Sequence, residues 1–175
     1  MKVLRLEDLF TLFAPPEAVP HYEVISGDEM PEPYRGLLVH EHHMTVTVEA
    51  YHGGLVDVRI LDRRQDDDVY ARKILLVHRA TGKVVQFGIV RIDLSMTSEP
   101  VRAAIVAGQT PVGRILIEHD VLRRIEPTDF LRITPGPVQM ARFGMTEPRP
   151  LYGRLAIIHC DGQPAVELLE VVAPA

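Results

Sequence analysis

A single cysteine among 175 residues, Cys160, excludes an internal disulfide and any zinc cage built on several thiolates, and makes a reducing cytoplasm the expected location. No segment approaches the roughly 20 apolar residues that a membrane-spanning helix needs. The amino terminus, Met1-Lys-Val-Leu-Arg-Leu-Glu-Asp8, interrupts with charges what a secretory signal keeps apolar. Basic runs are missing too: 19 Lys and Arg against 24 Asp and Glu give a formal charge of −5, which argues against nucleic acid as a partner. There is no Gly-x-Ser-x-Gly elbow and no glycine-rich phosphate loop. Nor does any repeat or composition shift mark a second domain. What remains, 46% hydrophobic and 25% charged, is the composition of an ordinary globular chain of one-domain length, 1–175, with enough residues for a continuous core.

Apolar periodicity predicts the elements. Leu4 to Phe13 reads as a short amphipathic helix ended by Pro15-Pro16, followed by irregular chain to about Tyr34. Met44, Val46, Val48 and Ala50 alternate with polar residues as in a half-buried strand, which a turn at His52-Gly-Gly54 would pair with Val56, Val58 and Ile60 as a hairpin. Asp62-Arg-Arg-Gln-Asp-Asp-Asp68 is too charged to pack and reads as a solvated connection. Val69–Val77 and Val84 to about Leu94, joined by Ala80-Thr-Gly-Lys83, form a second hairpin. Thr97–Ala107 carries capping residues, a proline in its first turn and alanines before Gly108, hence a helix. A second short helical segment begins at Thr110. Val121 to about Thr134 reads as a strand, and Pro135 to Pro150 holds too many prolines and glycines for regular structure. Tyr152–Cys160 and Ala165–Val172 close a third hairpin around Asp161-Gly-Gln163. The sum is an α+β fold, an antiparallel sheet of about six strands with helices packed around it.

Two of these strands carry charge where alternation asks for apolar residues. In Val69–Val77, Arg72 shares a face with Tyr70, Ile74 and Leu76; in Ala165–Val172, Glu170 shares one with Val166, Leu168 and Val172. An ionised group on an apolar face costs several kcal/mol, roughly, unless something compensates it. Mutual neutralisation of Arg72 and Glu170 is one solution and a ligand is another. Lys73 and Glu167 interrupt the opposite faces, so periodicity alone leaves open which member of each pair points inward.

Five segments then resemble, in order, successive motifs of bacterial chorismate lyase. They are Leu37-Leu-Val-His-Glu-His-His-Met-Thr45, Tyr70-Ala-Arg-Lys-Ile-Leu-Leu76, Gly108-Gln-Thr-Pro-Val-Gly-Arg114, Leu151-Tyr-Gly-Arg154 and Glu170-Val-Val-Ala-Pro174. The resemblance runs from about Leu37 to Pro174. It implies the chorismate-lyase-like fold and the conversion of chorismate to 4-hydroxybenzoate and pyruvate, with no cofactor and no metal. It implies that Arg72 holds the ring carboxylate of substrate or product, that Glu170 meets the hydroxyl-bearing end, and that Met44 and Val112 line the pocket, with Gly88 nearby. It also selects Arg72 over Lys73 and Glu170 over Glu167. The connection from Leu61 to Val69 is much shorter than in the best-known lyases, where it contributes to a helical flap over the product. The stretch from about Leu131 to Pro150 is longer, and Val112 replaces a leucine.

The implied chemistry suits these residue types. Aromatisation of the ring drives loss of the enolpyruvyl group, so the protein has to orient and polarise. A bidentate Arg72 pair fixes the carboxylate, and Glu170 in an apolar setting, its pKa raised, holds the hydroxyl or protonates the departing oxygen. Arg91, Arg114 and Arg154 are equal candidates for the second carboxylate of chorismate. Two other readings compete. His40-Glu-His-His43 has the residue types of a metal site but neighbouring positions on an extended chain diverge. A non-catalytic binder of small aromatic acids is the stronger rival, because the fold resembles effector-binding modules of bacterial transcription regulators. Those follow a helix-turn-helix domain, and the roughly 36 residues before Leu37 are too few and too proline-rich for one. Oligomeric state is open.

Overall fold

The computed structural model describes residues 3–175. Among them seven strands form one antiparallel sheet: β1 (Tyr22–Ile25), β2 (Val56–Asp66), β3 (Val69–His78), β4 (Val84–Asp93), β5 (Arg123–Ile133), β6 (Leu151–Cys160) and β7 (Gln163–Val172), in spatial order β1-β5-β6-β7-β4-β3-β2. Six α-helices are interspersed: α1 (Leu6–Phe10), α2 (Tyr34–Leu38), α3 (Met44–His52), α4 (Glu99–Ala107), α5 (Val112–Glu118) and α6 (Pro137–Phe143). No helix among the described residues is long and apolar enough to cross a membrane.

The central strands β3, β4 and β7 are buried on both faces, and their period of two sorts the core into layers. On one face Leu75, Val77, Phe87, Ile89, Leu169 and Val171 pack under Leu6, Leu9 and Phe10 of α1. The other face carries two separate clusters. One lies under α4 and α5, where Val101, Ile105, Val112 and Ile115 meet Tyr70, Ile92, Val166 and Leu168. The second lies under α2 and α3, where Leu38, Met44 and Val48 meet Ile74, Leu76 and Val172. Each such side chain removed from water contributes about 1.5–3 kcal/mol. The seam between these two clusters is where the polar side chains gather.

Several expectations are corrected. Met44–His52 is a helix, not the first strand of a hairpin. Met44 and Val48, one turn apart, are buried, while Val46 and Ala50, which strict alternation would place beside them, are exposed. Gly53, read as a hairpin turn, is the left-handed C-cap of α3 at φ 70°, a position that favours glycine. The hairpin partner of β2 is therefore β3, joined through Asp67-Asp68. Most of the charged run 62–68 is strand at the edge of the sheet, the half of β2 whose two faces both stay in water; it carries no helical flap. The chain before Tyr34, expected to be irregular, supplies the edge strand β1, which makes the strands seven rather than six, and α2 follows it at Tyr34. The proline-rich stretch 135–150 contains α6, with Pro137 at its first position and the Gln139 side chain accepting from the Gly136 N–H at 2.8 Å. The helix expected over Leu4–Phe13 is confined to Leu6–Phe10. The hairpins β3–β4 and β6–β7, helix α4 and helix α5 form where periodicity places them.

Candidate binding site

Arg72 sits in the middle of β3 on the seam face, with 1% of its surface exposed. Its Nη2 donates to the carbonyl of Thr110, just before α5, at 2.9 Å. Its Nε and Nη1 are buried and make no hydrogen bond. Burial lowers its pKa from the usual value, with the neighbouring Tyr70 hydroxyl acting in the opposite sense, yet a guanidinium stays protonated in any protein. The ion pair between Arg72 and Glu170, one of the two solutions read from the sequence, does not form. Glu170 pairs with Arg154 instead, Nε to Oε2 at 2.7 Å, the two side chains 1% and 12% exposed. The other interrupting charges also find partners. Lys73 points to the opposite face and binds Glu17 at 3.0 Å, and Glu167 pairs with Arg91 across β4 and β7. At Glu17 burial would raise the carboxyl pKa, but the hydrogen bonds from Arg142 and Lys73 outweigh it and hold it low. Among the described residues, Arg72 is thus the one of these four strand charges without a counter-ion.

A cavity of about 40 Å³ lies against it. Met44, Arg72, Val112 and Glu170, the four residues singled out from the sequence, all line this space, with Gly88 and Gln86 between the strands. Register explains the arrangement. Gly88 stands opposite Ile74 on β3 and Glu170 on β7, so the floor between them is bare backbone. Arg72 lies one pleat further along, a step of about 7 Å, opposite Val90. Two more buried polar atoms on this face make no well-formed hydrogen bond, Gln86 Oε1 and the Tyr70 hydroxyl, the latter beside the Arg72 guanidinium. Unpaired buried polar groups are rare in native structures, and here they cluster with an unpaired cation. A cavity of this size holds a few waters at most, so a ring enters only as the bounding side chains part. Burial raises the Glu170 pKa above the usual carboxylate range against the opposing charge and hydrogen bond of Arg154.

The histidine-rich segment is explained by Arg154. Its Nη1 donates to the carbonyls of His40 at 2.7 Å and Leu38 at 3.2 Å, and its Nη2 to that of His42 at 2.9 Å. One guanidinium therefore fixes both Glu170 and the chain that leads into Met44. The imidazoles of His40 and His42 stack with centroids 5.4 Å apart, His40 contacting the Leu37 carbonyl and the His42 N–H, while His43 turns to Arg123, its Nε2 2.7 Å from Arg123 Nε. No three potential metal-ligating side chains converge among the described residues. Since arginine only donates, His43 Nε2 is the acceptor and the ring proton resides on Nδ1. Burial, then the positive charges of Arg123 and Arg154, push the His43 pKa down to about 4. Imidazole ¹⁵N spectra are expected to show a neutral Nδ1–H tautomer for His43 at pH 7 and titration near pH 4; a midpoint above 6 would contradict this environment.

The three arginines considered for a second carboxylate are all engaged, Arg91 by Glu167, Arg114 by Glu49 and Arg154 by Glu170. Gln86, which the motif resemblance does not single out, also lines the cavity; it is a polar group on a seam-facing position of a buried strand, the same signal that marks Arg72.

No protein-family model and no curated protein matches the chain. Solved structures do. PhnF from Mycobacterium smegmatis superposes with a TM-score of 0.57 at 10% identity, over 75% of this chain and 63% of that one. The effector domain of the same protein, taken alone, gives 0.52 at 10% identity over 75% and 88%. The ligand-binding domain of a protein described as a GntR-family transcriptional regulator from Bordetella bronchiseptica gives 0.50 at 15% identity over 67% and 85%. The chain thus spans 63% of the length of PhnF. At such identities the likeness concerns the fold. This α+β architecture is the chorismate-lyase-like fold shared with ligand-binding domains of GntR-family regulators.

Proposed function

We infer that the seam cavity binds a small ring-shaped carboxylic acid, with Arg72 taking the carboxylate and Glu170 the polar group at the far end. The observation that carries this reading is the buried guanidinium that lines a cavity with no counter-ion and with its Nε and Nη1 unpartnered. A carboxylate supplies the missing counter-charge and two acceptors in the geometry a guanidinium prefers. Met44, Val112 and the bare floor at Gly88 suit a flat apolar ring.

The motif resemblance makes chorismate the substrate to test. In that reaction the bond between the ring carbon and the enolpyruvyl oxygen breaks. The hydrogen on the neighbouring hydroxyl-bearing carbon is lost, the ring becomes aromatic, and the released enolpyruvate takes up a proton to become pyruvate. Arg72 would fix the ring and Glu170, its pKa raised, would hydrogen-bond the hydroxyl end. The rival reading is effector binding without turnover. It draws on the neighbours, described as an effector domain and a ligand-binding domain.

One assay separates the two. Purified protein is incubated with chorismate and EDTA, and pyruvate and the aromatic product are quantified. Equimolar pyruvate and 4-hydroxybenzoate, absent with Arg72→Ala, is the outcome expected of a lyase. Saturable binding of chorismate or 4-hydroxybenzoate with no pyruvate released would assign the site to effector binding.

A further inference from the structure

His43 belongs to two spaces at once. It lines the cavity of Arg72 and Glu170 and also an open groove of about 730 Å³ between α3, α5 and β5, where Arg123 and Arg124 lie together with Glu41 and Asp120. The residue is 8% exposed. With Nε2 accepting from Arg123, the Nδ1–H is a donor, and it has no hydrogen-bond partner among the described residues. The place it borders is marked by Gly113, the second residue of α5. A side chain built there would come within 3.1 Å of both His43 Nδ1 and Thr45 Oγ1. Thr45 is buried, lines the same cavity, and its hydroxyl likewise makes no hydrogen bond among the described residues. Two unpartnered polar groups thus lie side by side against the bare backbone of Gly113, with a guanidinium directly behind one of them.

Resting on the reading of Arg72 as a carboxylate site, we propose that His43 Nδ1–H and Thr45 Oγ1, backed by Arg123, form a second anion subsite. It takes a carboxylate carried on a side arm of the ring acid. The arm leaves the Arg72–Glu170 cavity toward the groove, past Gly113. Arg123 polarises the neutral imidazole through Nε2, which strengthens Nδ1–H as a donor to an anion, and its own charge adds attraction at the mouth. This role goes to a histidine because Arg91, Arg114 and Arg154 are each committed to a glutamate.

The test compares two unreactive probes that share one ring, 4-hydroxybenzoate and 3-(carboxymethoxy)-4-hydroxybenzoate, by calorimetry at pH 7. Wild-type protein is expected to bind the two-carboxylate probe about 10-fold or more tightly than the one-carboxylate probe, the range of a hydrogen bond to a charged group. His43→Leu is expected to abolish that preference. His43→Asn, whose amide N–H occupies the place of Nδ1–H, is expected to retain most of it. Arg123→Met should reduce it while leaving the imidazole in place. A preference unchanged in His43→Leu, or lost equally in His43→Asn, overturns the subsite and leaves the Arg72 site standing. Failure of wild-type protein to bind either probe overturns both.

Discussion

Arg72→Met is expected to weaken binding of 4-hydroxybenzoate at least 100-fold while raising the melting temperature of the unliganded protein. The two effects have one cause. A guanidinium that is 1% exposed, with two unpaired nitrogens and no counter-ion, has lost most of its hydration and recovered little of it from the protein. Replacing such a charge with an apolar side chain of similar length is stabilising, by about 1–4 kcal/mol for buried ionic groups. The same charge is what a carboxylate ligand would pair with, and loss of a charge-assisted bidentate contact in a dry site costs at least about 2.7 kcal/mol, or 100-fold in affinity. Calorimetric titration and differential scanning calorimetry on one pair of proteins measure both. A variant that melts well below the wild type would show Arg72 to be a structural element held by Thr110, and the ligand argument would fall with it. Opposite signs on stability and affinity are the signature of a side chain retained for binding.

Arg154→Met is expected to have the reverse profile, a large loss of stability whatever is bound. Arg154 is as buried as Arg72, but every edge of its guanidinium is used, by Glu170 and by the carbonyls of Leu38, His40 and His42. Its removal strands a buried carboxylate and three backbone acceptors. Breaking one partner from a buried pair costs about 3–5 kcal/mol, and for a chain of this size each kcal/mol lowers the melting temperature by about 2–4 °C. A fall of roughly 10 °C in scanning calorimetry is therefore expected. A loss below about 1 kcal/mol would mean that the segment 38–42 and Glu170 are held by other contacts.

The contrast between these two arginines shows what was legible beforehand. Alternation along Val69–Val77 and Ala165–Val172 put Arg72 and Glu170 on apolar faces, and the cavity has both in its wall. Nothing in that alternation paired them correctly. Arg154 stands directly across from Glu170 in the β6–β7 register, as Arg91 does from Glu167 between β4 and β7. Directly opposed side chains are separated by about 5 Å. Arg72 is on the far side of β4 and one pleat away, opposite Val90 and Arg63.

Local sequence was sufficient where the decisive interactions are local. The hairpins β3–β4 and β6–β7 and the helix α4, with its early Pro100 and its Gly108 cap, were determined by turn residues and periodicity within a dozen neighbours. It was insufficient at Met44–His52, where Met44 and Val48 satisfy a period of two and a helical turn alike, and where the β-branched Thr45-Val-Thr-Val48 favours a strand. Packing of Met44 and Val48 against Ile74, Leu76 and Val172, and of Gly113 against His43 and Thr45, decided for the helix. By itself the sequence determined which faces are apolar and which charges interrupt them. Only the tertiary structure decided which of those charges are neutralised, because counter-ions come from strands and helices far apart in the chain, and their distances are set by sheet register and helix docking.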